Sequence, residues 1–131
     1  MYYFHDMYDT CPSDKMSFNV FAARCPSRDA FDAIFSKWGM LILMRLSEGP
    51  LRFGELKRAV DGISERMLSQ TLKILEREEM VERRELSLKP PKVEYILTES
   101  GLHVAGAMEN VVQVMYGELG RRFKRASKQQ K

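Results

Sequence analysis

Long apolar runs are missing from this chain. The longest strongly apolar stretch is Met40-Leu41-Ile42-Leu43-Met44, whereas a membrane-spanning helix needs about 20 such residues. No membrane span is therefore expected. Cysteine is scarce, with only Cys11 and Cys25, and no basic stretch leads into an apolar core at the start, as a secretory leader would require. Together these absences point to reduced thiols in a cytoplasm. Histidine is equally scarce. His5 and His103 are the only two, and neither stands in a metal-ligand spacing such as H-x-x-x-H or C-x-x-C. There is no glycine-rich phosphate loop. No metal, no cofactor and no enzymatic activity is expected from these residues. A large excess of one charge is also lacking: 21 Lys and Arg stand against 18 Asp and Glu, a net of +3.

The distribution of that charge says more than its sum. Residues 121–131 hold Arg121, Arg122, Lys124, Arg125, Lys128 and Lys131 with no acid, so the remainder of the chain is net negative. Such a tail reads either as a solvated end or as a phosphate-contacting arm. At 131 residues and 44% apolar, the chain is long enough for one domain and one core. Residues 1–24 carry Tyr2, Tyr3, Phe4, Tyr8, Phe18 and Phe21, too aromatic for a plain tail, and read as an extension that packs on something, such as a second subunit. The expected organisation is an N-terminal extension (1–24), a folded domain (25–120) and a basic tail (121–131).

The fold class read from the pattern is mainly α with a small β-hairpin (α+β). A first helix starts near Pro26 or Ser27, since proline suits a first helical turn and Asp29 suits the dipole there. Its buried side is Ala30, Ile34 and Phe31. Lys37 to Leu46 is apolar nearly all round and reads as the central helix, stopped by Gly49-Pro50. Leu51 and Arg52 are read as a very short strand. A third helix covers Phe53 to Val60, followed by an Asp61-Gly62 turn. Ile63 staples and Ser64 caps a fourth helix running to about Glu79. Val81 to Leu88 and Lys92 to Leu97 form a hairpin, with Val93, Tyr95 and Leu97 alternating and Pro90-Pro91 at its loop. Thr98 caps a last long helix. Its seam of Leu102, Ala105, Met108, Val112, Met115 and Leu119 is spaced by threes and fours; it reads either as packing on the domain's own core or, favoured for so long a seam, as a homodimer interface.

Helix, turn, helix, hairpin is the order of a winged helix-turn-helix, with extra N- and C-terminal helices for dimerisation. The fourth helix carries two chemistries. Leu68, Thr71, Leu72 and Leu75 lie on one side, and Arg66, Ser69, Gln70, Lys73 and Arg77 on the other. Such a polar face reaches base edges and phosphates in the major groove of double-stranded DNA. Gln70 suits adenine and Arg66 suits guanine. Glu65 either accepts from cytosine or supports the helix start beside Ser64. Arg77 either meets phosphate or pairs with a neighbouring glutamate. Lys89 and Lys92 at the hairpin tip suit the minor groove or flanking phosphates, while Arg83 or Arg84 can pair with Glu82 or Glu85. Arg52, at the start of the third helix, suits the DNA backbone. A different class of function stays open, a winged helix used as a protein-interaction module without specific DNA binding.

Several segments together resemble the HxlR-type branch of the MarR-like bacterial transcription regulators. They are Cys25-Pro26, Lys37-Trp38 with Leu41-Ile42-Leu43, Gly49-Pro50-Leu51-Arg52-Phe53-Gly54-Glu55-Leu56, Gly62-Ile63-Ser64, Pro90-Pro91-Lys92-Val93-Glu94-Tyr95 and Leu97-Thr98-Glu99-Ser100-Gly101. The resemblance covers about residues 25–117. It implies a dimeric winged-helix repressor or activator on an operator palindrome. It also implies that some members sense aldehydes, quinones or oxidants through a cysteine near the first helix, the place Cys25 holds here. Cys25 therefore has two readings. One is a sensor of a small electrophile or other effector, with Cys11 as resolving partner and with a thiolate favoured by the helix start and by Arg24 and Arg28. The other is a buried structural cysteine.

Overall fold

The computed structural model describes residues 18–129. Most of the expected aromatic extension, together with His5, Cys11 and Lys131, lies outside them. The elements are α1 (Pro26–Ile34), α2 (Lys37–Leu46), α3 (Phe53–Ala59), α4 (Glu65–Arg77), β1 (Val81–Leu88), β2 (Pro91–Leu97) and α5 (Glu99–Gln129).

Each helix begins where a side chain or proline satisfies its first turn. Pro26 opens α1 behind Cys25. Ser36 Oγ accepts from the Gly39 amide at 3.0 Å, and Ser64 Oγ accepts from the Met67 amide at 3.0 Å. At α5, Thr98 Oγ1 accepts from the Gly101 amide at 3.0 Å and donates to the Glu79 carbonyl at 2.6 Å. That pair ties the start of α5 to the turn after α4. Gly101 sits so close there that a Cβ would lie 2.1 Å from the Met80 carbonyl oxygen. α4 stops at Arg77, two residues earlier than its pattern suggests, because Glu79 adopts a left-handed backbone (φ 59°).

β1 and β2 pair antiparallel, with a bulge between Glu85 and Ser87. Leu51 adds a single bridge to Tyr95, with N···O distances of 3.1 and 2.8 Å, as the short strand at Leu51 anticipates. The clean alternation expected of Val93, Tyr95 and Leu97 is absent, since Val93 to Ile96 are all half-buried and only Leu97 is buried. The hairpin lies beside the core rather than over it, so only its base reaches the interior.

The core is one cluster. Ile42, Leu43 and Leu46 of α2 meet Leu56 of α3, Ile63 of the turn and Leu68, Leu72 and Leu75 of α4, all at 2% exposure or less. Each fully buried leucine contributes about 1.5–3 kcal/mol. α2 is the central helix, as its apolar character anticipates. On α1, Ala33 and Ile34 are buried. The expected buried Phe31 is instead 40% exposed and lies beside Phe35, ring centroids 4.7 Å apart. The two rings are one helical turn apart, so they cover each other rather than the core.

The expected α5 seam divides between the two readings. Ala105 and Met108 are buried in this chain's own core, at 0% and 3% exposure. Val112 and Leu119 are half-buried, while Leu102 and Met115 remain exposed. α2 lies along the first half of α5 and takes Ala105 and Met108 for itself. At 31 residues the helix is about 46 Å long, and its second half runs on past α2.

Candidate nucleic-acid interface

The polar face of α4 is built by its apolar one. Leu68, Thr71, Leu72 and Leu75 are buried against α2 and the base of the hairpin. Helical geometry then turns Arg66, Gln70, Lys73 and Arg77 to solvent, and all four are exposed. Ser69 lies on the same side but is half-buried. Thr71 is the one polar residue among the buried set, and its hydroxyl donates to the Met67 carbonyl at 2.7 Å. No buried side-chain polar atom is therefore left unsatisfied behind this polar face among the described residues.

Around this helix the other expected residues divide. Ser64 Oγ is occupied by the cap, so Ser64 serves the helix start first. Glu65 is exposed in the first turn. Arg77 lies 3.7 Å from Glu78, so its charge is partly answered at the helix exit. Arg52 is exposed at the N-terminus of α3, and its amide donates to Glu55 Oε1 at 2.9 Å. α3 adds Lys57 and Arg58 in its last turn, two cations that helical pattern alone did not single out.

On the hairpin, Arg83 reaches Glu85 at 3.1 Å and Arg84 reaches Glu82 at 3.5 Å. The hydrogen bond to Glu85 raises the Arg83 pKa. Both arginines therefore have carboxylate partners within the hairpin, as their sequence neighbours suggest. Lys89 and Lys92 sit at the tip and are exposed, beside an equally exposed Leu88.

Cys25 stands at the N-terminal boundary of α1, where sequence places it, and is 1% exposed. Its sulfur accepts from Ser27 Oγ at 3.0 Å and from the Asn19 amide at 3.4 Å. It is disulfide-bonded, and no free cysteine occurs among the described residues. The expectation of a reduced thiol is therefore not met at Cys25. Compartment chemistry argues about cysteines in general and says nothing of which sulfurs the fold brings together.

Two clefts flank the core. One, of about 340 Å³, lies between α1 and α4 and is lined by Trp38, Met67, Ile74, Asp29, Asp32 and Arg77. Trp38 is half-buried there, with Lys37 Nζ 4.4 Å from its ring centroid. The other, of about 840 Å³, lies between α2, the end of α3 and α5, and its charged lining is Arg45, Glu48, Asp61 and Glu109, with Arg45 3.7 Å from Glu48. No cluster of side chains suited to a metal ion occurs among the described residues, nor any helix long and apolar enough to cross a membrane.

Comparison with known proteins agrees with this geometry. Residues 33–123 match the HxlR-like helix-turn-helix family. The chain is 45% identical over 87 residues to the HTH-type transcriptional regulator YtfH of Escherichia coli, covering 66% of this chain and 69% of that protein. It superposes on the putative transcriptional regulator ytfH from Salmonella typhimurium with a TM-score of 0.73 at 35% identity, covering 85% of this chain and 99% of that one. The redox regulator HypR in its oxidised form gives a TM-score of 0.63 at 34% identity, covering 72% and 95%. With its winged helix-turn-helix and the polar face on α4, this chain belongs to the HxlR-like helix-turn-helix family of DNA-binding transcriptional regulators.

Proposed function

We propose that the protein binds an operator palindrome as a homodimer, with α4 of each copy in the major groove and the hairpin tip over flanking DNA. The observation that carries this is α4 itself, whose leucines are buried while Arg66, Gln70 and Lys73 face solvent together. Arg66 and Gln70 read base edges, Lys73 and Arg52 hold phosphates, and Ser69 and Glu65 lie at the margins of the same surface. Ser64 presents the helix start and Arg77 its exit. DNA of a two-fold dimer presents half-sites about 10 base pairs apart, centre to centre. The protein works where the DNA is, in the cytoplasm.

Lys89 and Lys92 give the clearest separation of roles. Replacing either by alanine is expected to weaken every duplex alike and to lower the slope of log affinity against log salt by about one unit. The check is fluorescence anisotropy across a salt series. A changed preference among sequences with an unchanged slope would assign the tip to base reading instead.

Cys25 is proposed as the point at which oxidation state reaches the reading heads. The supporting features are its place at the start of α1, its disulfide and the likeness to a redox regulator. In the oxidising direction two thiols release two protons and pass two electrons to an oxidant such as diamide or a quinone, and an S–S bond forms. A dithiol reverses the step. The role of Cys11 as the second thiol is part of this proposal. Operator affinity of the parent is expected to differ between dithiothreitol and diamide, and that of Cys25→Ser to stay constant. Equal affinities of the parent in both reagents would leave Cys25 as a packing residue.

A further inference from the structure

We infer that the hairpin tip is an apolar wedge, in which Leu88 enters the minor groove beside the α4 half-site, opens a base step there and bends the duplex. The inference rests on the DNA reading above and adds to it a deformation of the DNA.

Three observations carry it. The first is apolar surface at the very end of the hairpin. Leu88 is 78% exposed and Leu86, two residues before it, is 52% exposed. No large apolar side chain among the described residues is more exposed than Leu88. Pro90 and Pro91 are exposed as well, and Leu88 stands across from Pro91 in the strand pairing. The bulge between Glu85 and Ser87 leaves Leu86 without a cross-strand partner, and a bulge bends its strand and adds twist. Proline fixes its own backbone torsion, so a tip holding two of them loses little freedom when it is seated. Leucine and proline are among the side chains that wedge between base steps from the minor groove.

The second is charge. The acids of β1 lie toward its base, where Glu82 and Glu85 are answered by Arg84 and Arg83. Glu94 of β2 is level with Arg84 in the register. From Leu86 to Val93 the charged residues are Lys89 and Lys92 alone, both exposed. An apolar point with a cation on either side and no acid matches a narrow groove, about 6 Å wide, walled by two rows of phosphates.

The third is reach. β1 begins at Val81, shortly after α4 ends at Arg77. Its 8 residues extend about 26 Å. One turn of duplex rises about 34 Å, so the minor groove beside a major groove filled by α4 lies roughly half that distance away. The base of the hairpin is held in the core by Val81 and Leu97, both buried. The tip is thus carried out to the neighbouring groove on an anchored arm. A wedge of this kind favours pyrimidine–purine steps such as TA, which unstack and kink most easily, so it adds sequence preference outside the bases that α4 reads.

The test uses the full chain and a duplex that the parent enriches from a random pool, about 30 base pairs long, with a dye at each end. The flank carries either a TA or an AA step, with 2-aminopurine beside it to report unstacking. The parent is expected to bring the dyes together, to raise the 2-aminopurine fluorescence and to bind the TA duplex at least tenfold more tightly than the AA duplex. Leu88→Ala is expected to bind with the parental salt slope and melting temperature, to leave the duplex nearly straight and to bind both flanks alike. Leu88→Met, still apolar and unbranched, is expected to keep the bend. Equal bending by Leu88→Ala and the parent, or a parent that binds without bending, overturns the wedge while the DNA reading stands. A straight duplex together with Leu88-dependent retention on phosphatidylserine vesicles overturns it in favour of a membrane surface. A parent that binds no duplex overturns the wedge and the DNA reading together.

Discussion

Replacing Arg66 and Gln70 together by alanine is expected to erase operator discrimination while leaving a salt-sensitive affinity for any duplex. Both side chains are exposed on the face of α4 opposite its buried leucines, so truncation removes no core contact. A base-reading side chain is worth about 1–3 kcal/mol, and separated positions add approximately. The double variant should therefore lose about 2–6 kcal/mol for the operator, roughly 30-fold to about 20,000-fold. Lys73, Lys89 and Lys92, proposed to meet phosphate, are untouched, and that part of the affinity depends on charge rather than sequence. Competition between operator and random duplex in one anisotropy titration separates the two. Retained preference for the operator would mean that another surface reads the bases.

The mirror experiment strikes the other face of the same helix. Leu72→Ala is expected to cost about 2–5 kcal/mol of stability, since Leu72 is 1% exposed within the single core cluster and its removal leaves a cavity. For a chain of this size that is a fall in Tm of about 10–20 °C. Gln70→Ala, two residues away in sequence but on the solvent side, should move Tm very little, as surface truncations generally do. Thermal denaturation followed by circular dichroism compares them directly. A Gln70→Ala variant that melts as early as Leu72→Ala would show that Gln70 is part of the folded framework rather than a free reading residue.

Sequence made the helix starts legible because their chemistry is local. Ser64 and Thr98 are oxygen-bearing residues just before apolar-periodic segments, and each accepts the amide three residues on. The central role of Lys37–Leu46 was legible for the same kind of reason, since a helix apolar on nearly every side has nowhere to lie but inside. The polar face of α4 followed from periodicity, and the burial of Leu68, Leu72 and Leu75 fixes it.

Where several faces compete for one surface, pattern alone was insufficient. The α5 seam runs through residues of one spacing, yet Ala105 and Met108 go to this chain's core while Met115 stays outside. The division depends on where α2 ends against α5, a tertiary fact with no local signature. Phe31 was placed in the core by its apolar character, but Phe35 one turn later offers it a closer partner at the surface. The early end of α4 was hidden because Glu79, rather than a glycine, takes the left-handed backbone there. The groove between α2 and α5 was missed because its lining acids, Glu48, Asp61 and Glu109, come from two turns and a helix far apart in sequence.

In the proposed function α4 reads DNA sequence from two copies related by a two-fold axis. Selection from a pool of random duplexes at physiological salt tests it most directly, using the parent protein and Gln70→Ala in parallel. The parent is expected to enrich an inverted repeat whose half-sites lie about 10 base pairs apart, and Gln70→Ala is expected to relax one position in each half-site. A parent that enriches no sequence, or a repeat that Gln70→Ala leaves unchanged at every position, would contradict the account.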